Sequence, residues 1–368
     1  MENKICVYAI CKNESKFVEQ WYKSMSEADS IVVLDTGSTD DTVEKLKKLG
    51  VKVEQKIIEP WGFGDARNES MKLIPDDCNI LVCTDLDEYF EEGWAKPLRE
   101  KWVEGVHNRC VYTYYIRPDH FIYYDKIHGR NYYWKYPIHE MLCCDKSVGL
   151  TTLYLQNEIV LHHDRDASKS RESYLRLLER RVKENENDFI GIIYLVGEYQ
   201  AVGRHEDVLS LLETVDLDKC DNDLYRLSIA KIKAETLLHF GRTKDCIGWI
   251  NYCMRINKSY RELYYLLAKC FEENNDLMYY TLLKGIENST YHQDWFEKEY
   301  LWKGGMYYDL LSLTAYYSGH IAESLIYAGM ALKIEPNNDR YKQNINSIIN
   351  NLSEEEIIKY RQNIKDGK

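Results

Sequence analysis

The segment "NILVCTDLDEYF", residues 79–90, drives an apolar run straight into acid. Ile80 to Thr84 read as a short buried strand, and Asp85, Leu86, Asp87 and Glu88 follow at once. Like charges this close repel unless something positive lies among them, so the segment predicts a bound cation or a solvated turn. The flanking sequence supplies the setting. "KICVYAIC", "SIVVLD" and "VKVEQKII" read as three further strands, and "ESKFVEQWYKSM", "STDDTVEKLKKLG" and "GDARNESMKLI" carry helical patterns after each of them. Such alternation predicts a mostly parallel sheet covered on both faces. Ligands bind beyond the carboxyl ends of the strands of such sheets. The polar clusters "KNES", "DTGSTD" and "DLDE" all fall at that end.

Residues 109–164 change character. They are rich in aromatics and broken by Pro118, Gly129 and Pro137, which predicts strands and turns that cap the sheet and shape a site. From Ser168 onward the pattern is helical. "YQAVGRHEDVLSLLE", "LHFGRTKDCIGWIN", "CFEENNDLMYYTLLK" and "YYSGHIAESLIYAGMALKIEPNN" repeat one phrase: a helix end, a Gly or Asn turn and a second amphipathic helix. These read as degenerate tetratricopeptide-like repeats, which bury their apolar faces only by stacking. The expected organisation is an α/β domain over 1–167 and an all-α repeat domain over 168–368.

Composition narrows the function. A 45% hydrophobic, 29% charged chain folds, and a net charge of −12 argues against nucleic acid and anionic membrane as general partners. Eleven cysteines with no C-x-x-C pair read as reduced, buried thiols of a cytoplasmic protein. No apolar run approaches the roughly 18 residues of a membrane span, so no integral membrane segment is expected.

Two carboxylates one residue apart at a strand end, Asp85 and Asp87, can both reach a divalent cation, and Mg²⁺ or Mn²⁺ prefers such oxygen ligands. Asp35 ends the second strand before a Gly-containing turn and a helix start. That position suits base or ribose contacts, or a plain helix cap shared with Thr39 or Asp40. "WGFGDAR" offers a turn with Gly62 and Gly64, then Asp65 and Arg67, and arginine suits a diphosphate.

Together "CKNES", "VVLDTGSTDDT", "GDARNES" and "TDLDE" resemble, in order and spacing, the family-two glycosyltransferases of GT-A fold. The match is good over about residues 4 to 100 and looser to about 165. With the repeat tail, the whole resembles bacterial transferases of this family fused to tetratricopeptide repeats, a group that includes the peptide S-glycosyltransferases of sublancin-type glycopeptide bacteriocins. Thr36 departs from the second Asp of many relatives, which puts the ribose contacts in question. The resemblance implies a nucleoside-diphosphate sugar donor, most often a UDP-sugar, with Mg²⁺ or Mn²⁺. Asp35 and Asp65 would hold uridine, Arg67 the diphosphate, and Asp85 and Asp87 the metal. In "YPIHEML", Glu140 is the expected base and His139 orients donor or acceptor, with Asp87 or Glu88 as rival bases. In "VLHHD" the strand period selects His163 over His162 as a further metal ligand. The expected activity is inverting transfer to a peptide or protein, against a glycan or lipid-linked acceptor, or a non-catalytic nucleotide-binding scaffold. The helical part would bind the acceptor or build a homodimer.

Overall fold

A computed structural model describes residues 2–144, 151–164, 172–353, 355 and 358. It divides into two compact units, Met1–Asn185 and Glu186–Lys368. The boundary expected at 167/168 lies outside the described residues, and the observed division falls after a helix that packs within the first unit.

In the first unit the elements run β1 (Ile5–Cys11), α1 (Val18–Met25), β2 (Ser30–Asp35), α2 (Thr42–Lys48), β3 (Lys52–Gln55), α3 (Phe63–Met71), β4 (Ile80–Thr84), β5 (Glu88–Phe90) and α4 (Ala95–Lys101). They continue with β6 (His107–Arg117), β7 (His120–His128), β8 (Tyr132–Lys135), β9 (Met141–Cys144), β10 (Thr151–Tyr154), β11 (Val160–His163) and α5 (Glu172–Glu184). Among the described residues nine strands form one sheet in the order β3-β2-β1-β4-β7-β6-β11-β5, with β10 also on β6. β1, β2, β3 and β4 pair in parallel. The apolar strands are explained by burial on two sides. Ile5, Val7 and Ala9 enter one core with Trp21 and Trp94, while Cys6, Tyr8 and Ile10 enter the other with Ala66 and Trp134.

The aromatic segment extends the sheet beyond β4. β7 pairs antiparallel with β4, and β6, β10 and β11 build outward from it. The physical reason is the free edge of β4: its buried backbone N–H and C=O groups need partners, and β7 supplies them. Among the described residues, β8 and β9 stand apart as a two-stranded ribbon.

The second unit contains α6 (Phe189–Ala201), α7 (His205–Thr214), α8 (Asp223–His239), α9 (Thr243–Ile256), α10 (Arg261–Lys269) and α11 (Asn275–Asn288). α12 (Tyr300–Lys303), α13 (Met306–Tyr317), α14 (Ile321–Ile334) and α15 (Asp339–Asn350) follow. Consecutive helices pack as hairpins, α8 on α9, α10 on α11 and α13 on α14. Three turns share one chemistry. Gly203, Gly241 and Gly319 adopt φ of 76°, 71° and 76°. The following N–H reaches back five residues, Arg204 to Tyr199, Arg242 to Leu237 and His320 to Ala315, each at 2.8 Å. This is the left-handed glycine stop that satisfies the last helical carbonyls. Repetition of phrase in sequence thus becomes repetition of turn geometry. No helix among the described residues is long and apolar enough to cross a membrane.

Candidate active site

β4 delivers Asp85 to the carboxyl end of the sheet, and the chain turns at once. The Asp85 N–H donates to Glu88 Oε2 at 2.9 Å, and the Glu88 N–H donates back to the Asp85 carbonyl at 3.1 Å. β5 then runs antiparallel to β11, with Glu88 opposite His163. The register therefore sets His163 beside Asp87, with Nε2 3.6 Å from Oδ2. One residue earlier on the same strand, β11, His162 faces the other way. It pairs with Glu91 at 2.9 Å and stacks between Tyr89 and Tyr115.

Two cations lie among the acids. Arg67, only 3% exposed, donates from Nη2 to both Asp85 oxygens at 2.9 and 3.1 Å, from Nε to Glu140 Oε1 at 2.7 Å, and from Nη1 to Cys83 Sγ at 3.2 Å. Lys126, on β7 and also buried, donates to Asp85 at 3.3 Å and lies 3.6 Å from Glu88. Its place follows from register: His128 pairs with Leu81 and Ile127 with Val82, so Lys126 arrives beside the end of β4. Burial opposes the charge on Asp85, but Arg67 and then Lys126 outweigh it and hold the carboxyl well below the usual range. The same balance lowers Glu140, again chiefly through Arg67. Glu88 goes the other way: burial raises it and Lys126 only partly compensates. Like charges at the strand end are thus relieved by an arginine and a lysine of the protein itself.

Glu140 and His139 sit on the loop between β8 and β9, which is bound on two sides. Phe63 N–H donates to the Pro137 carbonyl at 2.7 Å and Gly64 N–H to the Tyr136 carbonyl at 3.2 Å. A side chain on Gly64 would strike that carbonyl. From α5, the fully buried Arg181 donates to the carbonyls of Ile138 and His139, both at 2.9 Å, and its guanidinium lies 3.8 Å from the Tyr136 ring centroid. Tyr136 and His139 hold φ of 78° and 47°, a backbone conformation that costs energy and needs such support.

Asp35 is buried at the end of β2 and accepts from its own turn, from Ser38 N–H at 3.2 Å and the Ser38 hydroxyl, and from Gln55 at 3.2 Å. Asp40, two residues before α2, accepts from the N–H of Thr42 at 3.0 Å. Asp65, in the first turn of α3, pairs with Arg180 of α5 at 3.2 Å. The structure therefore joins Arg67, Asp85 and Glu140 in one network and Asp87 with His163, and leaves Asp35 and Asp65 in separate local contacts. Lys126 and Arg181 are the members that sequence reasoning missed. The i, i+2 alternation of Tyr124, Lys126 and His128 was the available signal for Lys126, because one face of that strand is buried.

For a metal the residues fit in a limited way. Among the described residues, no three His, Cys, Asp or Glu side chains are placed to hold an ion by themselves. Asp87 and His163 fit as a pair, and His163 Nδ1 is buried with no hydrogen-bond partner among the described residues. A hard divalent cation often takes only one or two protein carboxylates and fills its shell with water and substrate phosphate. Asp85 is committed to Arg67 and Lys126.

The family model described as glycosyl transferase family 2 matches residues 6–151. Uncharacterized glycosyltransferases of Rickettsia conorii and Rickettsia typhi are 31% and 29% identical over 119 and 114 residues. Those stretches cover 31% and 30% of this chain but only 39% and 37% of the relatives, so the chain spans well under half of their length. Among solved structures, the tetratricopeptide protein YrrB, described as having an unusual peptide-binding site, matches at 14% identity and a TM-score of 0.37, over 46% of this chain and 81% of its own. Glucosyl-3-phosphoglycerate synthase from Mycobacterium tuberculosis, solved with Mn²⁺, UDP and glucosyl-3-phosphoglycerate, matches at 25% identity and a TM-score of 0.25, over 32% of this chain and 45% of its own. Residues 6–151 are thus the part of the chain that is similar to glycosyl transferase family 2.

Proposed function

We propose that this protein is a metal-dependent, inverting glycosyltransferase that moves a hexose from a UDP-sugar to a side chain of a peptide or protein, as the sublancin-type resemblance suggests. The observation that carries the reading is the meeting of Asp87 and His163 beside the Arg67–Asp85–Lys126 network, at the carboxyl end of the sheet. Asp87 and His163 hold Mg²⁺ or Mn²⁺, which stabilises the charge gained by the departing diphosphate. Asp35 and Asp65 are the uridine contacts. Arg67 works from beneath: it fixes Asp85 and Glu140, since its donors are already engaged with them. Glu140 takes the acceptor proton. At 14% side-chain exposure it can meet an acceptor, whereas Glu88 at 2% and hydrogen-bonded to the Asp85 N–H cannot.

The test is UDP release from a panel of UDP-sugars with Mn²⁺ or Mg²⁺, with and without candidate peptides. Turnover is expected with one sugar, abolished by EDTA and lowered on the order of a hundredfold or more by Asp87→Asn. Full activity in EDTA, or in that variant, overturns the metal assignment. Transfer to a glycan or lipid-linked acceptor in preference to any peptide overturns the acceptor class.

A further inference from the structure

A cleft of about 490 Å³ opens in the second unit between the end of α7, the second half of α8 and α9. It is formed by the second helices of two successive hairpins with α8 between them. Lys233, Arg242, Lys244 and Arg255 line it, against the carboxylates of Glu213 and Asp245, so it is cationic within a chain of net charge −12. Both carboxylates contact Arg242: Asp245 accepts from Arg242 Nε at 2.8 Å, and Glu213 lies 3.7 Å from Arg242 Nη1. Among the described residues, no carboxylate pairs with Lys233, Lys244 or Arg255.

The apolar lining is aromatic. The Lys233 amine is half-buried, donates to the Leu212 carbonyl at 3.0 Å and sits 4.4 Å from the Trp249 ring centroid. Burial pushes its pKa down, and the Glu213 carboxylate only partly offsets this. Arg255 lies 5.8 Å from the Tyr252 centroid. Gly248 leaves part of the wall bare, with open space where a side chain would project.

We propose that this cleft binds a short acidic polypeptide segment, with carboxylates on Lys233, Lys244 and Arg255 and an apolar side chain on Trp249 and Tyr252. Charge-assisted hydrogen bonds to these donors and apolar contact with the rings need both chemistries in one ligand a few residues long. A long polyanion is disfavoured because it would run onto the acidic remainder of the surface. The cleft lies wholly in the second unit, so its occupancy reads out separately from sugar transfer.

The test uses the full chain and a fluorescein-labelled peptide of alternating Asp and Leu, followed by anisotropy, with a Lys–Leu peptide and a single-stranded oligonucleotide as competitors. The acidic peptide is expected to bind, to weaken with salt and to resist both competitors. Lys244→Glu with Arg255→Glu, and separately Gly248→Phe, should each raise the Kd about tenfold or more. Gly248→Phe alters no charge, and unchanged thermal melting of either variant assigns the loss to the cleft. No binding of the acidic peptide, equal binding by the variants, or displacement by the oligonucleotide overturns the proposal.

Discussion

Burying a guanidinium costs several kcal/mol unless carboxylates meet it, and Arg67 meets two of them. Removing it strands Asp85 and Glu140 beside each other with only Lys126 to offset them. Arg67→Met should therefore lower the unfolding free energy by about 3 kcal/mol, read from urea titration. A loss below about 1 kcal/mol would mean that the network relaxes onto Lys126 or water. Glu140→Gln separates chemistry from scaffolding, because the amide oxygen can still accept from Arg67 Nε. It should bind UDP-sugar normally and transfer on the order of a hundredfold more slowly. If binding weakens while the transfer step does not, Glu140 is a ligand contact or a structural residue. Arg67 was legible in "GDAR" as a cation just after a glycine-containing turn, but only as a diphosphate donor. Its two carboxylate partners arrive from β4 and from a loop far along the chain, and no local pattern carries that information. For Lys126 the alternation in "YYDKIHG" marks a buried face, but its partners Asp85 and Glu88 follow only once β7 is known to lie against β4.

Strands and loops show where register does the positioning. β1, β7 and β8 are tied by a buried relay in which the Trp134 N–H donates to Tyr8 Oη at 2.8 Å, and the Tyr8 hydroxyl donates to His128 Nε2 at 2.7 Å. His128 Nδ1 carries the proton, because it donates to the Gly129 carbonyl at 2.7 Å. Burial pushes the His128 pKa down from 6.5 to about 4. The folded state therefore stays neutral where the unfolded chain takes up a proton, and stability falls as pH drops from 6.5 toward 4. The shift corresponds to about 3 kcal/mol at acid pH. Urea titrations across that window should show the slope, and His128→Gln, although less stable, should show a shallower one. An unchanged slope would mean that other groups govern the acid limb. The loop from Tyr136 to Glu140 gives a second test. Gly64→Ala puts a methyl group into the Tyr136 carbonyl, so the loop must shift, at about 1–3 kcal/mol. Transfer should fall with it, and a fully active, equally stable variant would show that the loop has slack. The strand–helix alternation of the first hundred residues was readable because propensity and periodicity agree there. The aromatic segment was readable as strands and turns, but their pairing was not, because it is defined by the edge they join.

At the scale of the whole molecule, the question is where the transferase part ends. The change to a helical pattern near residue 168 suggested a cut at 167. Yet Arg181 of α5 holds the carbonyls of Ile138 and His139, and Arg180 holds Asp65, so this helix serves the site it follows. A helix docked by a buried arginine cannot be removed without leaving two carbonyls and a strained loop unsupported. Fragments 1–185 and 1–167 separate these views. The longer should fold by circular dichroism, bind UDP and hydrolyse UDP-sugar slowly, while losing transfer to a large acceptor. The shorter should be less stable by several kcal/mol and bind UDP weakly, because nothing then fixes the loop that carries Glu140. Equal UDP binding by both fragments would show that α5 is dispensable and return the boundary to 167. If fragment 1–185 folds but binds no UDP, the helical repeats contribute to the donor site, and the separation of chemistry from acceptor binding fails.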